Sequence, residues 1–251
     1  MARGPRQYSA TGFYHIVLRG AGKRIIFESQ SDYQAFLELL CKVADEEQID
    51  IIAYCLMSNH VHVVVSDAKL HLSNYVKRIG TSFAMRYNNL HQHVGPVFQG
   101  RFFSTPLNSD EQLLEAIRYV HQNPQKAKIC AIEDYAWSSI QEYIHPSGRI
   151  KTSLVLSMFN DNAEALVEFC RLPNSSYSVP VFGQVKLTDD DAMSLMKQNL
   201  TADDMADLNG RFRDKRDRVL RKLRGLGIGV NQASRLTGIG RTIVGRAYSG
   251  K

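Results

Sequence analysis

The stretch Leu56-Met57-Ser58-Asn59-His60-Val61-His62-Val63-Val64-Val65 sets two imidazoles one residue apart inside a valine-rich run. Such runs favour strand. In a strand, residues i and i+2 share a face, so His60 and His62 project side by side, with Cα atoms about 7 Å apart. Val61, Val63 and Val65 project from the opposite face. Two imidazoles so placed can converge on one divalent cation. A bare His-x-His pair is also an ordinary pattern of a half-exposed strand, so the metal reading needs partner groups. Position 64, where a third alternating histidine would stand, is Val64, which argues against a histidine-rich nucleotide hydrolase.

A second group of residues supplies those partners. Tyr119 and Asn123 are four residues apart in a segment with helical periodicity, and positions i and i+4 lie on one helix face, as does Glu115 one turn earlier. A helix presenting a phenol and an amide oxygen to the two-histidine strand would complete a site. The histidine nitrogens and the Asn123 oxygen would hold a divalent cation, the cation would polarise a phosphate oxygen, and the Tyr119 oxygen would attack phosphorus in line. The competing reading is an amphipathic surface tyrosine. His15 reads as a strand residue rather than a further ligand. His91-Gln92-His93 stands at a helix end before Val94-Gly95-Pro96, where nothing holds both rings on one face.

The elements that must position these groups follow from periodicity and punctuation. Gly12 to Arg19 is a strand closed by Gly20-Ala21-Gly22. Ser31-Asp32 offers an N-cap to a helix reaching about Glu47, with Tyr33, Phe36, Leu37, Leu40, Val43 and Ala44 on its apolar face. Residues 49–55 form a second strand, in a hairpin with the histidine strand. Leu72 to Leu90 is a long helix. Pro96 to Pro106 reads as a fourth strand, in which Gly100 suggests a bulge or a close backbone approach. Ser109-Asp110-Glu111 caps the helix that carries Tyr119, which stops at Asn123-Pro124 because the residue before proline leaves helical geometry. The order β-α-β-β-α-β-α predicts an α+β layer, an antiparallel sheet with helices on one face.

Met57-Ser58-Asn59-His60-Val61-His62 followed by Tyr119-Val120-His121-Gln122-Asn123-Pro124 resembles the single-tyrosine transposases of the HUH type, and more closely the REP-associated tyrosine transposases. Tyr14 to Gly20, Phe98 to Phe102 and Asp134 to Ser139 agree in order, so the resemblance covers about residues 7–145. It implies a ferredoxin-like palm, cleavage of single-stranded DNA near a hairpin, a covalent 5′-phosphotyrosine intermediate and a Mg²⁺ or Mn²⁺ ion. Carried over by position, His60 and His62 become metal ligands, Tyr119 the nucleophile and Asn123 a third ligand, where some relatives carry glutamine. Arg19 and Arg101 match recurrent basic positions and become candidate DNA contacts. Relatives often pair, which implies a homodimer.

Charge divides the chain. Its net +6 is the balance of +10 over residues 211–251 and −4 over the rest, and residues 136–210 carry −5. An acidic segment discourages DNA from lying along it, whereas a basic block favours nucleic acid. Within the basic block, Arg213 to Arg224, Val230 to Thr237 and Arg241 to Tyr248 read as helices, with Gly238-Ile239-Gly240 as the turn of a helix-turn-helix. Arg241, Thr242 and Arg246 would then meet the major groove or phosphates of duplex DNA, and Gly245 weakens the recognition helix by about 1 kcal/mol relative to alanine. The alternative is a basic helical tail that binds phosphate alone. The expected organisation is an HUH domain over 1–135, an acidic helical connector over 136–210, with a break at Pro173 to Ser176, and a helix-turn-helix module over 211–251.

Four scattered cysteines without a Cys-x-x-Cys pair argue against a disulfide framework and a structural zinc. No apolar run reaches the ~18 residues that span a bilayer, and Met1 to Ser9 has no apolar signal core, so a cytoplasmic protein is expected. The function expected is a DNA strand transferase. An HUH nickase of replication or mobilisation would use the same residues, and a DNA-binding regulator with a palm that no longer cuts is the rival of another class.

Overall fold

The computed structural model describes residues 7–67, 69–172, 177, 189–210 and 212–249, with the side chains of 191 and 209 left aside. The expected break at Pro173 to Ser176 lies outside the described residues. The chain forms two compact units, Met1–Val185 and Lys186–Lys251. The division falls inside the segment expected as a connector.

In chain order the first unit holds β1 (Phe13–Arg19), α1 (Gln30–Glu47), β2 (Asp50–Met57), β3 (His60–Ser66), α2 (Leu72–Leu90), β4 (Phe103–Leu107), α3 (Asp110–His121), α4 (Asn123–Lys126), α5 (Ile140–Ile144), α6 (Ser153–Ser157) and α7 (Ala163–Arg171). The second unit holds α8 (Asp189–Asn199), α9 (Ala202–Asn209), α10 (Arg213–Gly225), α11 (Val230–Thr237) and α12 (Arg241–Ser249). The four strands form one antiparallel sheet in the order β2-β3-β1-β4. This is the α+β layer that the pattern predicts and the ferredoxin-like palm that the resemblance implies, with an all-α C-terminal region.

The helices, however, divide between the two faces of the sheet. His15 bonds His62, so His15, Val17 and Arg19 share the histidine face of β1, and Tyr14, Ile16 and Leu18 share the other. The helix α2 lies on that second face, where a Cβ added at Gly80 would meet the Leu18 side chain at 4.0 Å. The helix α1 packs on α2 through Phe36 and Phe83, whose ring centroids are 5.0 Å apart. By contrast, α3 crosses the histidine face, which brings Tyr119 within ring contact of His62. Periodicity shows that a helix has an apolar stripe, not which face of a sheet receives it, and the expectation of helices on one face is corrected accordingly.

Two local boundaries also differ from expectation. The helix α1 starts two residues early, because Asp32 reaches back to accept from the Ser29 backbone N–H and hydroxyl, each at 3.0 Å, and thereby acts as the third residue of a capping box. Regular pairing in β4 begins only at Phe103. Residues 96–102 approach β1 through the Gly20–Phe98 bridge and then turn at Gly100, whose φ of +57° is a left-handed conformation that glycine adopts without strain. Nothing lies within 4 Å of a Cβ built there, so the turn and not a close approach is what Gly100 serves.

The β2 edge of the sheet is covered. Leu56 N–H donates to the Trp137 carbonyl at 2.9 Å, Ser139 N–H to the Tyr54 carbonyl at 3.0 Å and Lys151 N–H to the Ile51 carbonyl at 2.8 Å. Satisfying the edge in this way removes a template for pairing with another chain.

In the second unit, α10, α11 and α12 pack through Val219, Leu220, Leu223, Ala233, Val244 and Ala247, all buried. Gly238 closes α11 at φ +72°, the left-handed cap a helix end favours.

Candidate active site

Strand alternation and hairpin register place the histidines. A turn at Ser58-Asn59 joins β2 to β3, and both residues are buried because their carbonyls accept backbone N–H groups of Ile26, Phe27 and Gly20 at 2.7 to 3.2 Å. His60 opens β3 opposite Met57 and Arg19, and His62 stands opposite Cys55 and Val17. Their ring centroids are 4.8 Å apart and nearly perpendicular.

The helix α3 supplies the facing groups. Ser109 caps it, its hydroxyl accepting from Gln112 N–H at 3.3 Å, and Asp110 and Glu111 complement the positive N-terminal end of the helix dipole. At the other end Tyr119 directs its ring to 5.5 Å from that of His62 and 5.9 Å from that of His15. Asn123 is buried at the start of α4, where its amide nitrogen donates to the Tyr119 carbonyl at 2.8 Å and the Val120 carbonyl at 3.2 Å. With the nitrogen so engaged, the amide oxygen is the atom left to face the site beside His60. The structure thus brings His60, His62, Tyr119 and Asn123 to one place.

The electrostatics of the site follow from burial. His60 is held down at about 4, chiefly by burial and next by the Arg19 guanidinium, with the Asn123 side chain acting in the opposite sense. His62 is pushed well below the usual histidine range by burial, then by His60, His15 and Lys126. His15 is lowered by burial to about 3. All three rings are therefore neutral at pH 7, the form in which imidazole binds a metal. Burial raises the Tyr119 phenol above its ordinary value, so it enters any reaction protonated.

The donor set fits a divalent cation. His60 Nδ1 lies 2.7 Å from Asn59 Oδ1, which can only accept, so Nδ1 carries the hydrogen and Nε2 keeps its lone pair. Two imidazole nitrogens and one amide oxygen would leave coordination positions for phosphate oxygens and water, as Mg²⁺ and Mn²⁺ require in phosphoryl chemistry. Among the described residues no group of three or more His, Cys, Asp or Glu is arranged to hold a metal ion, and the set present here depends on the amide.

Three residues enter the site that sequence reasoning did not assign to it. His15 Nε2 lies 2.9 Å from His62 Nδ1, and His15 Nδ1 lies 2.8 Å from the Tyr177 hydroxyl. The Tyr177 ring is 5.7 Å from that of Tyr119. Lys126, one turn beyond Asn123, sets its ammonium 4.5 Å from the centroid of the Tyr119 ring, and burial lowers its pKa. Its spacing from Asn123 was a usable signal; for Tyr177 the sequence held none.

Of the expected DNA contacts, Arg19 is at the site, paired in register with His60. Arg101 is exposed in the segment before β4. Arg241, Thr242 and Arg246 belong to the second unit, where all three are exposed on α12; Thr242 and Arg246 lie on the side away from Val244, Ala247 and Tyr248, whereas Arg241 opens the helix in line with Val244 and Tyr248. No helix of the described residues is long and apolar enough to cross a membrane.

A family model described as "Transposase IS200 like" matches residues 9–123, a span that contains both histidines, Tyr119 and Asn123. No curated protein matches the chain. Among solved structures, a REP-associated tyrosine transposase bound to a REP hairpin aligns with a TM-score of 0.51 at 15% identity, over 74% of this chain and 98% of that one. A chain of Deinococcus radiodurans R1 described as a candidate transposase aligns at 16% identity over 49% of this chain and 97% of that one, with a TM-score of 0.35.

Proposed function

We propose that the chain, which is similar to the IS200-like transposases over residues 9–123, cleaves and rejoins single-stranded DNA with Tyr119 as nucleophile. The observation that carries this reading is the meeting of the Tyr119 ring with those of His62 and His15 at 5.5 and 5.9 Å on the buried histidine face. A phenol has no structural need to stand against two neutral imidazoles, whereas a phosphoryl-transfer site needs both groups within reach of one phosphate.

His60, His62 and Asn123 would hold the ion, Mg²⁺ or Mn²⁺. When bound, it supplies positive charge to a non-bridging phosphate oxygen as charge develops there. Tyr119 Oη forms a bond to phosphorus while the bond to the 3′ oxygen breaks in line. The phenol gives up a proton and the departing 3′ oxygen takes one up. The 5′ end is then held as a phosphotyrosine, which conserves the energy of the phosphodiester, and a second 3′ hydroxyl can reverse the step on another strand. Lys126 beside the ring favours the phenol oxygen as it becomes anionic. The buried, water-poor setting strengthens each of these interactions.

The substrate in this reading is single-stranded DNA beside a hairpin, a reading supported by the hairpin bound to the REP-associated protein of like fold. The exposed face of α12 is proposed to bind duplex DNA through Arg241, Thr242 and Arg246. Arg19 and Arg101 are proposed to contact the substrate strand, and a homodimer would place two such sites on paired ends.

The test is to incubate the chain and its Tyr119→Phe variant with labelled single strands carrying a hairpin, in the presence of Mn²⁺, and to resolve the products under denaturing conditions. The chain should give a covalent protein–DNA band and the variant none, with DNA binding retained by both. An adduct formed by Tyr119→Phe refutes the assignment. Rejoining of two cleaved ends separates a transposase from a nickase, and absence of any adduct leaves a DNA-binding regulator.

A further inference from the structure

His15 has both ring nitrogens committed: Nε2 to His62 Nδ1 at 2.9 Å, and Nδ1 to the Tyr177 hydroxyl at 2.8 Å. It is therefore not placed to serve as a third ligand. A neutral imidazole carries one hydrogen, so the direction of each bond in this chain fixes the next. If His62 Nδ1 donates to His15 Nε2, then His15 Nδ1 must donate to the Tyr177 oxygen, and His62 Nε2 is left with a lone pair. If the chain runs the other way, Tyr177 donates to His15, His15 donates to His62, and His62 Nε2 carries a hydrogen that no cation can share.

We infer that His15 is a positioning residue that holds His62 in the metal-binding tautomer, with the Tyr177 hydroxyl as the acceptor that completes the relay. This rests on His62 being a ligand, as proposed above. The Tyr177 end of the relay lies outside residues 9–123, so this chain recruits a residue from beyond the matched domain to orient a ligand within it. Ligating histidines commonly donate their second N–H to such a partner, and loss of the partner typically costs 10- to 100-fold in metal affinity. His60 has the same device in Asn59 Oδ1. The two ligands are thus oriented independently, one by its sequence neighbour and the other by a residue across the sheet.

The experiment titrates Mn²⁺ alone into the full chain and follows free Mn²⁺ by electron paramagnetic resonance. His15→Phe keeps the ring volume and removes the acceptor; His15→Gln places an amide oxygen near the position of Nε2 and can still accept. His15→Phe should weaken Mn²⁺ binding by about 10- to 100-fold, and His15→Gln should recover most of the loss. Equal affinity in His15→Phe, or an equal loss in both variants, overturns the inference. Nitrogen-15 shifts of the histidine rings in the unsubstituted chain provide a measurement free of any folding defect: His62 should carry its hydrogen on Nδ1, and a hydrogen on Nε2 overturns the relay. His62→Ala is the control. Mn²⁺ binding that His62→Ala leaves unchanged overturns the ligand assignment itself and the relay with it, whereas binding that depends on His62 but not on His15 overturns the relay alone.

Discussion

The Lys126 ammonium lies 4.5 Å from the centroid of the Tyr119 ring. A cation over a phenol interacts more strongly as the ring gains negative charge, by roughly 1 kcal/mol when partly desolvated. Lys126 also stands near enough to His62 to lower its pKa. Substituting Lys126→Met keeps the aliphatic stem and removes the charge. Adduct formation in single turnover should slow by about tenfold, the equivalent of roughly 1.4 kcal/mol, while the thermal midpoint changes little. A rate equal to that of the unsubstituted chain would show that the ammonium packs on the ring without assisting it.

Asn123 has two tasks in the structure, and substitutions can separate them. Its nitrogen donates to the Tyr119 and Val120 carbonyls at the end of α3, and its oxygen is left for the metal site. Asn123→Asp keeps an oxygen, adds negative charge for a cation and removes the donor. It should tighten Mn²⁺ binding and lower stability by about 2 kcal/mol, the ordinary cost of two lost hydrogen bonds. Asn123→Ala should lose on both counts. Calorimetric Mn²⁺ titration together with urea unfolding measures the two effects, and an Asn123→Asp variant with weakened Mn²⁺ binding would remove Asn123 from the ligand set.

How much of this was legible in the sequence depends on the range of the physics involved. His60 and His62 were readable because strand alternation acts over two residues, and Tyr119 with Asn123 because helix geometry acts over four. The helix α12 and the turn before it were readable because the glycine turn and the apolar residues are local. His15 was not, because its meeting with His62 depends on the β1–β3 register, in which His15 pairs with Val64 and so stands diagonal to His62. Tyr177 reaches the site through tertiary packing alone. The side of the sheet taken by α3 escaped for the same reason: an apolar stripe states that a helix packs, not where.

Asp204 ties together α9 and α10 in the second unit. It accepts from the Lys222 ammonium at 2.7 and 2.8 Å and from the Thr201 N–H and hydroxyl, each at 3.1 Å, in a capping box. The Lys222 contact first, and then the Thr201 backbone N–H, hold its carboxyl down at about 2, from an ordinary 3.8. In the unfolded chain the carboxyl takes up its proton near 3.8, earlier than in the folded one. The stabilisation is therefore fully present above that value and is lost as the pH falls toward 2. Amide exchange in α10, corrected for the intrinsic pH dependence of exchange, should accelerate over this window. Asp204→Asn should exchange faster at pH 6 and show a shallower acid response. An unchanged acid response in the variant would place the linkage elsewhere.

Arg241 and Arg246 differ from several basic neighbours in how their charge is spent. Arg218 pairs with Asp207 at 2.9 Å, Lys222 with Asp204 at 2.7 Å and Arg235 with Asp189 at 2.8 Å, so part of the basic block serves to hold the unit together. Arg241 and Arg246 are both exposed on α12, Arg241 in its first turn and Arg246 on the face opposite its buried residues. If that face meets duplex DNA, each phosphate contact releases a counterion, and the slope of log affinity against log salt changes by about 0.9 per contact. Arg246→Ala should flatten the slope by roughly that amount if it touches phosphate, and weaken all duplex sequences alike. If it reads a base edge instead, the slope stays nearly constant and one position of the site loses its preference, at about 1–3 kcal/mol of discrimination. Salt-dependent binding to duplexes varied one base pair at a time distinguishes the two. If the slope and the preference both stay unchanged, Arg246 is taken out of the DNA interface.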